Sequence, residues 1–231
     1  MTSRPLTVTD GYTGRLDGRG TGQRLTEGDA RITKISVGEM DNNVYLVESL
    51  TDGTPDGHAL LVDAANDAPS LVAFLREAAP GLDRVLTTHE HPDHWIGLAE
   101  TVRELGLTTL ASTGDAENIH VPTDVTLAHG DTVTVGGLEL DVVGFRGHTP
   151  DGIGLVLRTG EGTHLFSGDS LFPGGPGKTP DEAAFGSLMD DLEQRVFDVL
   201  DDSVVVHPGH GDDTALGAER PHLGEWRERG W

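Results

Sequence analysis

The chain reads as an α+β protein in which two sheets lie face to face with helices outside. Three observations predict this. Short β-rich runs precede a helical stripe in each half of the chain, no repeat of fixed period runs through it, and the densest cluster of titratable residues falls where a strand hands over to a helix. At 231 residues the chain suits one large domain with a sizeable core. We expect residues 30–231 to form that domain. Residues 1–29, rich in Gly, Arg and Asp without periodicity, are expected to be a loosely structured arm.

Taken in order, residues 30–37, 43–48 and 59–63 are β-rich runs separated by Gly/Asp-rich breaks, the outline of an antiparallel meander. Residues 69–79 place Leu71, Val72, Phe74, Leu75 and Ala78 on one helical stripe, with Pro69 at the start and Pro80-Gly81 at the end. A buried strand follows at 83–88, then a helix at 95–106 with Ile96, Leu98, Ala99, Val102 and Leu105 apolar. Residues 108–112 read as a strand and 113–119 as a short helix. Residues 125–145 hold two or three strands, and strands resume at 152–158 and 164–167. The stretch 181–200 reads as one helix, with Ala184, Leu188, Leu192, Val196, Val199 and Leu200 on one side and acids opposite. Residues 203–206 are the last expected strand. From Pro208 onward we expect loop with a short polar C-terminal segment.

Composition removes several classes of function. There is no cysteine, so disulfides, thiolate ligands and a Cys nucleophile are all absent, and any metal would have N and O ligands only. A formal net charge of −23 repels phosphate backbones and anionic membranes. No run of 18 or more apolar residues and no secretory layout at the N-terminus is visible, which makes a cytoplasmic location the default. The partner to expect is a small-molecule substrate rather than nucleic acid or a membrane, with a homo-oligomer left open.

The chemistry concentrates in His89-Glu90-His91-Pro92-Asp93-His94, three imidazoles and a carboxylate at a strand end. If the backbone stays extended past Thr88, then His89, His91 and Asp93 project to one side while His94 begins the turn into the helix. Such a cluster could feed two adjacent metal ions. A single loop histidine is ordinarily just a solvated side chain, but this density with a Pro-stiffened middle is metal-site density. Three further ligand types sit after strands beside glycine: His148 in Gly147-His148-Thr149-Pro150, Asp169 in Ser167-Gly168-Asp169-Ser170, and His210 in Pro208-Gly209-His210-Gly211. His207 competes with His210. His58, His120, His129, His164 and His222 read as surface or structural.

With these motifs together the chain resembles the metallo-β-lactamase-fold hydrolases and, within them, the glyoxalase II-like (hydroxyacylglutathione hydrolase-like) branch, from about Ile32 to the C-terminus. The resemblance implies a four-layer αβ/βα sandwich with a metal crevice at one edge between the sheets. By matching motif it implies that His89, His91 and His148 hold one metal, that Asp93, His94 and His210 hold a second, and that Asp169 bridges them. It implies two Zn2+, with Fe2+ or mixed Zn/Fe/Mn as the alternative, and a thioesterase that cleaves an acyl thioester of a low-molecular-weight thiol through a metal-bridging hydroxide. Each ion would then have three protein ligands, a shared carboxylate and room for water, as catalytic sites require. Asp93 is also the expected catalytic residue, orienting the hydroxide and accepting its proton.

The segment 168–178 resembles the family stretch whose basic residue binds the carboxylate of glutathione, which makes Lys178, one of only two lysines, the expected substrate contact. Thr179 stands where family members usually carry an aromatic, Asp151 where they commonly carry Gly, and about twenty residues follow His210 where the family has a helical extension. The thiol carrier is therefore open. Two other readings use the same motifs: a mononuclear iron persulfide dioxygenase-like oxidoreductase held by His89, His148 and Asp169, and a lactone hydrolase.

Overall fold

A computed structural model of the chain describes residues 5–230. Among the described residues, the first sheet has eight strands side by side in chain order: β1 (Thr7–Thr9), β2 (Thr21–Glu27), β3 (Ala30–Val37), β4 (Asn42–Thr51), β5 (Thr54–Val62), β6 (Leu82–Leu86), β7 (Thr108–Ser112) and β8 (Val125–Leu127). From β2 to β5 the pairing is antiparallel; from β5 to β8 it is parallel. Parallel neighbours need a crossover. Helices α1 (Ala68–Ala78) and α2 (Leu98–Leu105) supply the first two.

The second sheet comprises β9 (Thr132–Val135), β10 (Leu138–Phe145), β11 (Gly152–Arg158), β12 (Thr163–Gly168), β15 (Val205–Pro208) and β16 (Thr214–Ala215), in the order β16-β15-β12-β11-β10-β9. Between β12 and β15 come a small hairpin, β13 (Leu171–Phe172) with β14 (Gly175–Pro176), and helix α3 (Glu182–Leu192), which runs on through a π turn at Glu193–Phe197. The chain ends in α4 (Leu216–Glu219), a 3₁₀ turn at Arg220–His222 and α5 (Leu223–Arg229).

The layering follows from side-chain alternation. On β3, β4 and β5, Ile32, Tyr45, Val47, Leu60 and Val62 face the second sheet and meet Leu140, Val142, Leu155 and Phe166. Their neighbours Ile35, Val44, Leu46 and Leu61 point the other way, onto Leu71, Leu75 and Leu98 of α1 and α2. On the far side of the second sheet, Val143, Phe145, Val156 and Leu165 pack against Phe185, Leu188, Leu192 and Trp226. Three apolar interfaces separate four layers, the αβ/βα sandwich. Strands covered on both faces read as continuous apolar runs, as Val44-Tyr45-Leu46-Val47 does.

Several sequence expectations are corrected. The arm at 1–29 is not loose where it is described: β1 and β2 extend the first sheet, and β2 pairs with β3 along its length. It carries few apolar residues because it lies at the sheet edge, where main-chain pairing does the holding. Residues 1–4 lie outside the described residues. The expected helix at 113–119 is a run of turns, held by side chain to backbone bonds such as Asp115 N–H to Ser112 Oγ. The single helix expected over 181–200 is α3 plus the π turn, with Asp198 N–H reaching Glu193 O. The region after Pro208 is not loop. Trp226 is buried against Phe197, and Glu219 accepts from Gly174 N–H, so the C-terminal helices clamp the β13–β14 hairpin.

Trp226→Ala is therefore expected to cost about 3–5 kcal/mol, read as a lower urea midpoint in equilibrium unfolding. A change under about 1 kcal/mol would show that α5 is not part of the third core.

Candidate metal centre

The seven candidate ligands converge at one edge of the sandwich, beyond the ends of β6, β10, β12 and β15. The backbone does not stay extended through the His89–His94 motif. It turns into a 3₁₀ helix at Pro92–His94, so Asp93 and His94 swing away from His89 and His91. Ligand atoms of His89, His91 and His148 lie within 4.8 Å of one another, and so do those of Asp93, His94 and His210. Asp169 stands between the two groups. Its Oδ1 is 3.4 Å from His94 Nε2, and its Oδ2 is 3.5 Å from His148 Nε2 and 3.4 Å from His210 Nε2. His207 is elsewhere: fully buried, it bonds Asp213 and stacks on His164.

The donor set fits a metal. His94 Nε2 and His210 Nε2 are 3.1 Å apart, and His210 Nε2 is 3.2 Å from Asp93 Oδ2. Tetrahedral bonds of about 2.0–2.1 Å place ligand atoms roughly 3.3 Å apart. His89 Nε2, His148 Nε2 and Asp169 Oδ1 are buried with no hydrogen-bond partner among the described residues. Orphaned polar atoms of that kind are costly unless something satisfies them.

The opposite ring nitrogens explain why Nε2 points inward. His148 Nδ1 donates to Lys178 O at 2.7 Å and His210 Nδ1 to Met40 O at 2.9 Å, acceptors that fix the proton on Nδ1. His94 Nδ1 donates to Asp63 Oδ2 at 2.7 Å. Asp63 also takes Thr88 N–H and Thr88 Oγ1–H, and Thr88 Oγ1 is 3.0 Å from His89 Nδ1. One buried carboxylate thus orients two imidazoles. Asn42 Nδ2 holds Asp93 by Oδ2 at 2.9 Å and by its carbonyl at 3.1 Å. Asp115 accepts Glu90 N–H at 3.0 Å on one oxygen and Asp151 N–H at 2.9 Å on the other, tying the His89–His91 loop to the His148 loop. Asp63, Asn42 and Asp115 escape a sequence reading. The available signal was an acid closing the apolar run Leu60-Leu61-Val62, and Asp63 holds a φ of 60° that side chains rarely adopt.

Gly209 is required by packing. A Cβ there would stand 2.2 Å from Asp169 Oδ1 and 2.6 Å from His94 Cε1. Lys178 supplies its carbonyl to His148 while its side chain is exposed. A groove of about 270 Å3, lined by Arg146, His148, Pro150, Pro180 and Ala184 among others, shares His148 with the candidate ligand set.

Charge is distributed unevenly. Burial, reinforced by His94, holds the His89 imidazole well below its usual range, and burial also lowers His148. At His94 burial opposes the charge, but Asp63 and Asp169 outweigh it and push the group well up. His210 meets the same penalty and is pushed up to about 10 by Asp169 and Asp93. Desolvation is likewise overcome at Asp93, drawn down to about 2 by His210, His94 and Asn42, and at Asp169, lowered mainly by His94 and His210.

These features belong together in one family. The metallo-beta-lactamase superfamily profile matches residues 37–210, and the chain belongs to that superfamily. Within it, the similarity lies with the glyoxalase II-like branch. The hydroxyacylglutathione hydrolase of Xanthomonas campestris pv. campestris (strain B100) is 39% identical over 145 residues, covering 63% of this chain and 51% of the relative. The match thus spans about half the length of that relative. Among solved structures, BLEG-1 B3 metallo-beta-lactamase superposes with a TM-score of 0.72 at 22% identity, covering 83% of this chain and 97% of the other, a likeness of fold. TTHA1623, solved in a di-iron-bound form, gives 0.64 at 28% identity over 81% and 96%.

Two outcomes follow. The Asp93/His94/His210 group is biased toward holding protons that a metal must displace, since His94 and His210 are pushed up, whereas His89 and His148 are pushed down. Metal uptake at the Asp93/His94/His210 group should therefore tighten as pH rises from 7 toward 10 and weaken as it falls. Uptake at the His89/His91/His148 group should depend less on pH over that range. Calorimetry in buffers of different ionisation enthalpy measures the proton release, and equal pH dependence at both groups would contradict the charge assignment. Gly209→Ala should lose metal at the Asp93/His94/His210 group by elemental analysis while keeping its far-UV circular dichroism.

Proposed function

We propose that the chain is a dinuclear metallo-hydrolase that cleaves acyl thioesters of a low-molecular-weight thiol. The observation that carries the reading is Asp169, whose two carboxylate oxygens face ligands of both histidine groups. A single-metal centre on His89, His148 and Asp169 would leave Asp93, His94 and His210 gathered to no purpose. The hydroxyacylglutathione hydrolase name of the Xanthomonas relative supports the thioester, and the di-iron form of TTHA1623 supports a two-metal centre in which iron is an alternative to zinc.

His89, His91 and His148 would hold one ion and Asp93, His94 and His210 the other, with Asp169 shared. When bound, two divalent ions supply Lewis acidity toward a carbonyl and a water acidic enough to attack it at neutral pH. The chain's own residues orient and protect that chemistry. Asp93, ionised over the whole neutral range and fixed by Asn42, presents a carboxylate able to orient the attacking water and take its proton. Asp63 keeps His94 turned inward. The groove along Arg146, His148, Pro150 and Pro180 takes the thiol half of the substrate, and Lys178, exposed two residues before Pro180 in a strongly acidic chain, meets an anionic group on it. No helix among the described residues is long and apolar enough to cross a membrane.

Two measurements test this. Elemental analysis of protein purified without added metal should give about two metal ions per chain, with hydrolysis of a hydroxyacylglutathione thioester that Asp169→Ala reduces at least 100-fold together with metal content. One iron per chain with oxygen uptake would sink the hydrolase. Lys178→Ala should raise KM for an anionic thioester about 3–10-fold with kcat within twofold, the mark of uniform binding; an unchanged KM would remove Lys178 from the substrate site.

A further inference from the structure

Lys34 lies on β3 and has no exposed surface. A buried ammonium is costly unless each proton is matched, and all three are: Gly14 O at 2.8 Å, Gly211 O at 2.7 Å and Asp213 Oδ1 at 2.6 Å. Gly211 is the residue after His210, and Asp213 lies two further on in the loop that leaves β15. The opposite oxygen of Asp213 accepts from Tyr12 Oη at 2.6 Å and lies 2.9 Å from His207 Nδ1. Asp213 N–H donates to Gly14 O. Lys34 is thus the point where the first sheet, the N-terminal segment and the loop carrying His210 are joined, although it touches no candidate ligand itself.

That loop needs fastening. Asn43 N–H donates to Gly209 O, and Asn43 Nδ2 reaches Pro208 O and Gly211 O. At the same Gly211 carbonyl, Lys34 is the one charged group bonded to the loop's backbone among the described residues. A charge-assisted bond is shorter and stronger than a neutral one. We propose that Lys34 is a positioning residue for the metal centre: its ammonium fixes the loop at 209–213 so that His210 Nε2 reaches Asp93 and Asp169. The inference rests on the dinuclear reading of the centre.

The test is zinc stoichiometry and affinity, by competition with a chromophoric chelator, on the full chain. The proteins compared are wild type, Lys34→Met, and Lys34→Met/Asp213→Asn, which removes both buried charges so that neither is left unpaired. One of the two zinc sites should weaken about 10–100-fold in the folded variants, with the other unchanged. Because the chain has no cysteine, Lys34→Cys can be aminoethylated in denaturant to rebuild an ammonium of lysine length on refolding. That should restore the lost site, whereas capping the same Cys with a propyl group should not. Wild-type affinity at both sites in the folded double variant would overturn the inference, and so would equal recovery with the propyl cap. Wild-type protein binding fewer than two zincs would overturn the dinuclear reading instead, a result seen before any variant is made.

Discussion

Asp169 is the point on which the two sheets must agree. One oxygen addresses His94, delivered from the end of the first sheet, and the other addresses His148 and His210, delivered from the second. A relative slip of the sheets by an ångström would carry Asp169, which rides on the second sheet with His148 and His210, away from His94 on the first. The registration comes from the core between the sheets, where Tyr45, Leu60, Leu86, Leu155 and Phe166 interlock with almost no exposed surface. A core packed at crystal density resists such a slip. The site's geometry is therefore a property of the whole sandwich more than of any one loop.

The centre also gathers charge that an apolar interior disfavours. Asp63, Asp93 and Asp169 converge with His94 and His210, and these carboxylates push both imidazoles toward their protonated forms. Mutual compensation of this kind roughly cancels desolvation and adds little net stability. Local strain accompanies it: Asp41, Asp63 and Asp67, in or beside the loops at the mouth, all hold positive φ. Strained and densely charged geometry is what a fold accepts where a ligand set has to be ready before its ion arrives.

Legibility followed contiguity. The motif His89–His94 was visible because its spacing is short, and His148, Asp169 and His210 because each sits by glycine after a strand. The layers were readable where both strand faces are apolar, as on β4, and unreadable where the edge strands β1 and β2 depend on main-chain pairing. The C-terminal helices were missed because their burial is sparse, resting on Leu216 and Glu219 in α4 and Trp226 in α5. Asp93 was placed on the wrong local geometry, since an extended reading cannot anticipate the 3₁₀ turn that separates it from His91. Asp63, Asp115 and Lys34 were beyond reach for a common reason. Each acts through atoms from 20 to 179 positions away, and no periodicity encodes that.

The two sheets pay different costs for delivering ligands. The first supplies four from one continuous stretch, so His89 and His94 can share Asp63 as anchor. The second supplies His148, Asp169 and His210 from three separate loops, and each of its imidazoles needs its own: Lys178 O for His148 and Met40 O for His210. Those anchors are main-chain carbonyls of exposed segments at the mouth of the site. Under the proposed function, the Lys178 segment that would meet the substrate thereby also sets the direction of a ligand ring. Displacing the Lys178 loop moves the acceptor of His148, and displacing the Met40 turn moves that of His210. Under the proposed function, contact of Lys178 with the substrate's outer half would be coupled, through one hydrogen bond, to the direction of His148.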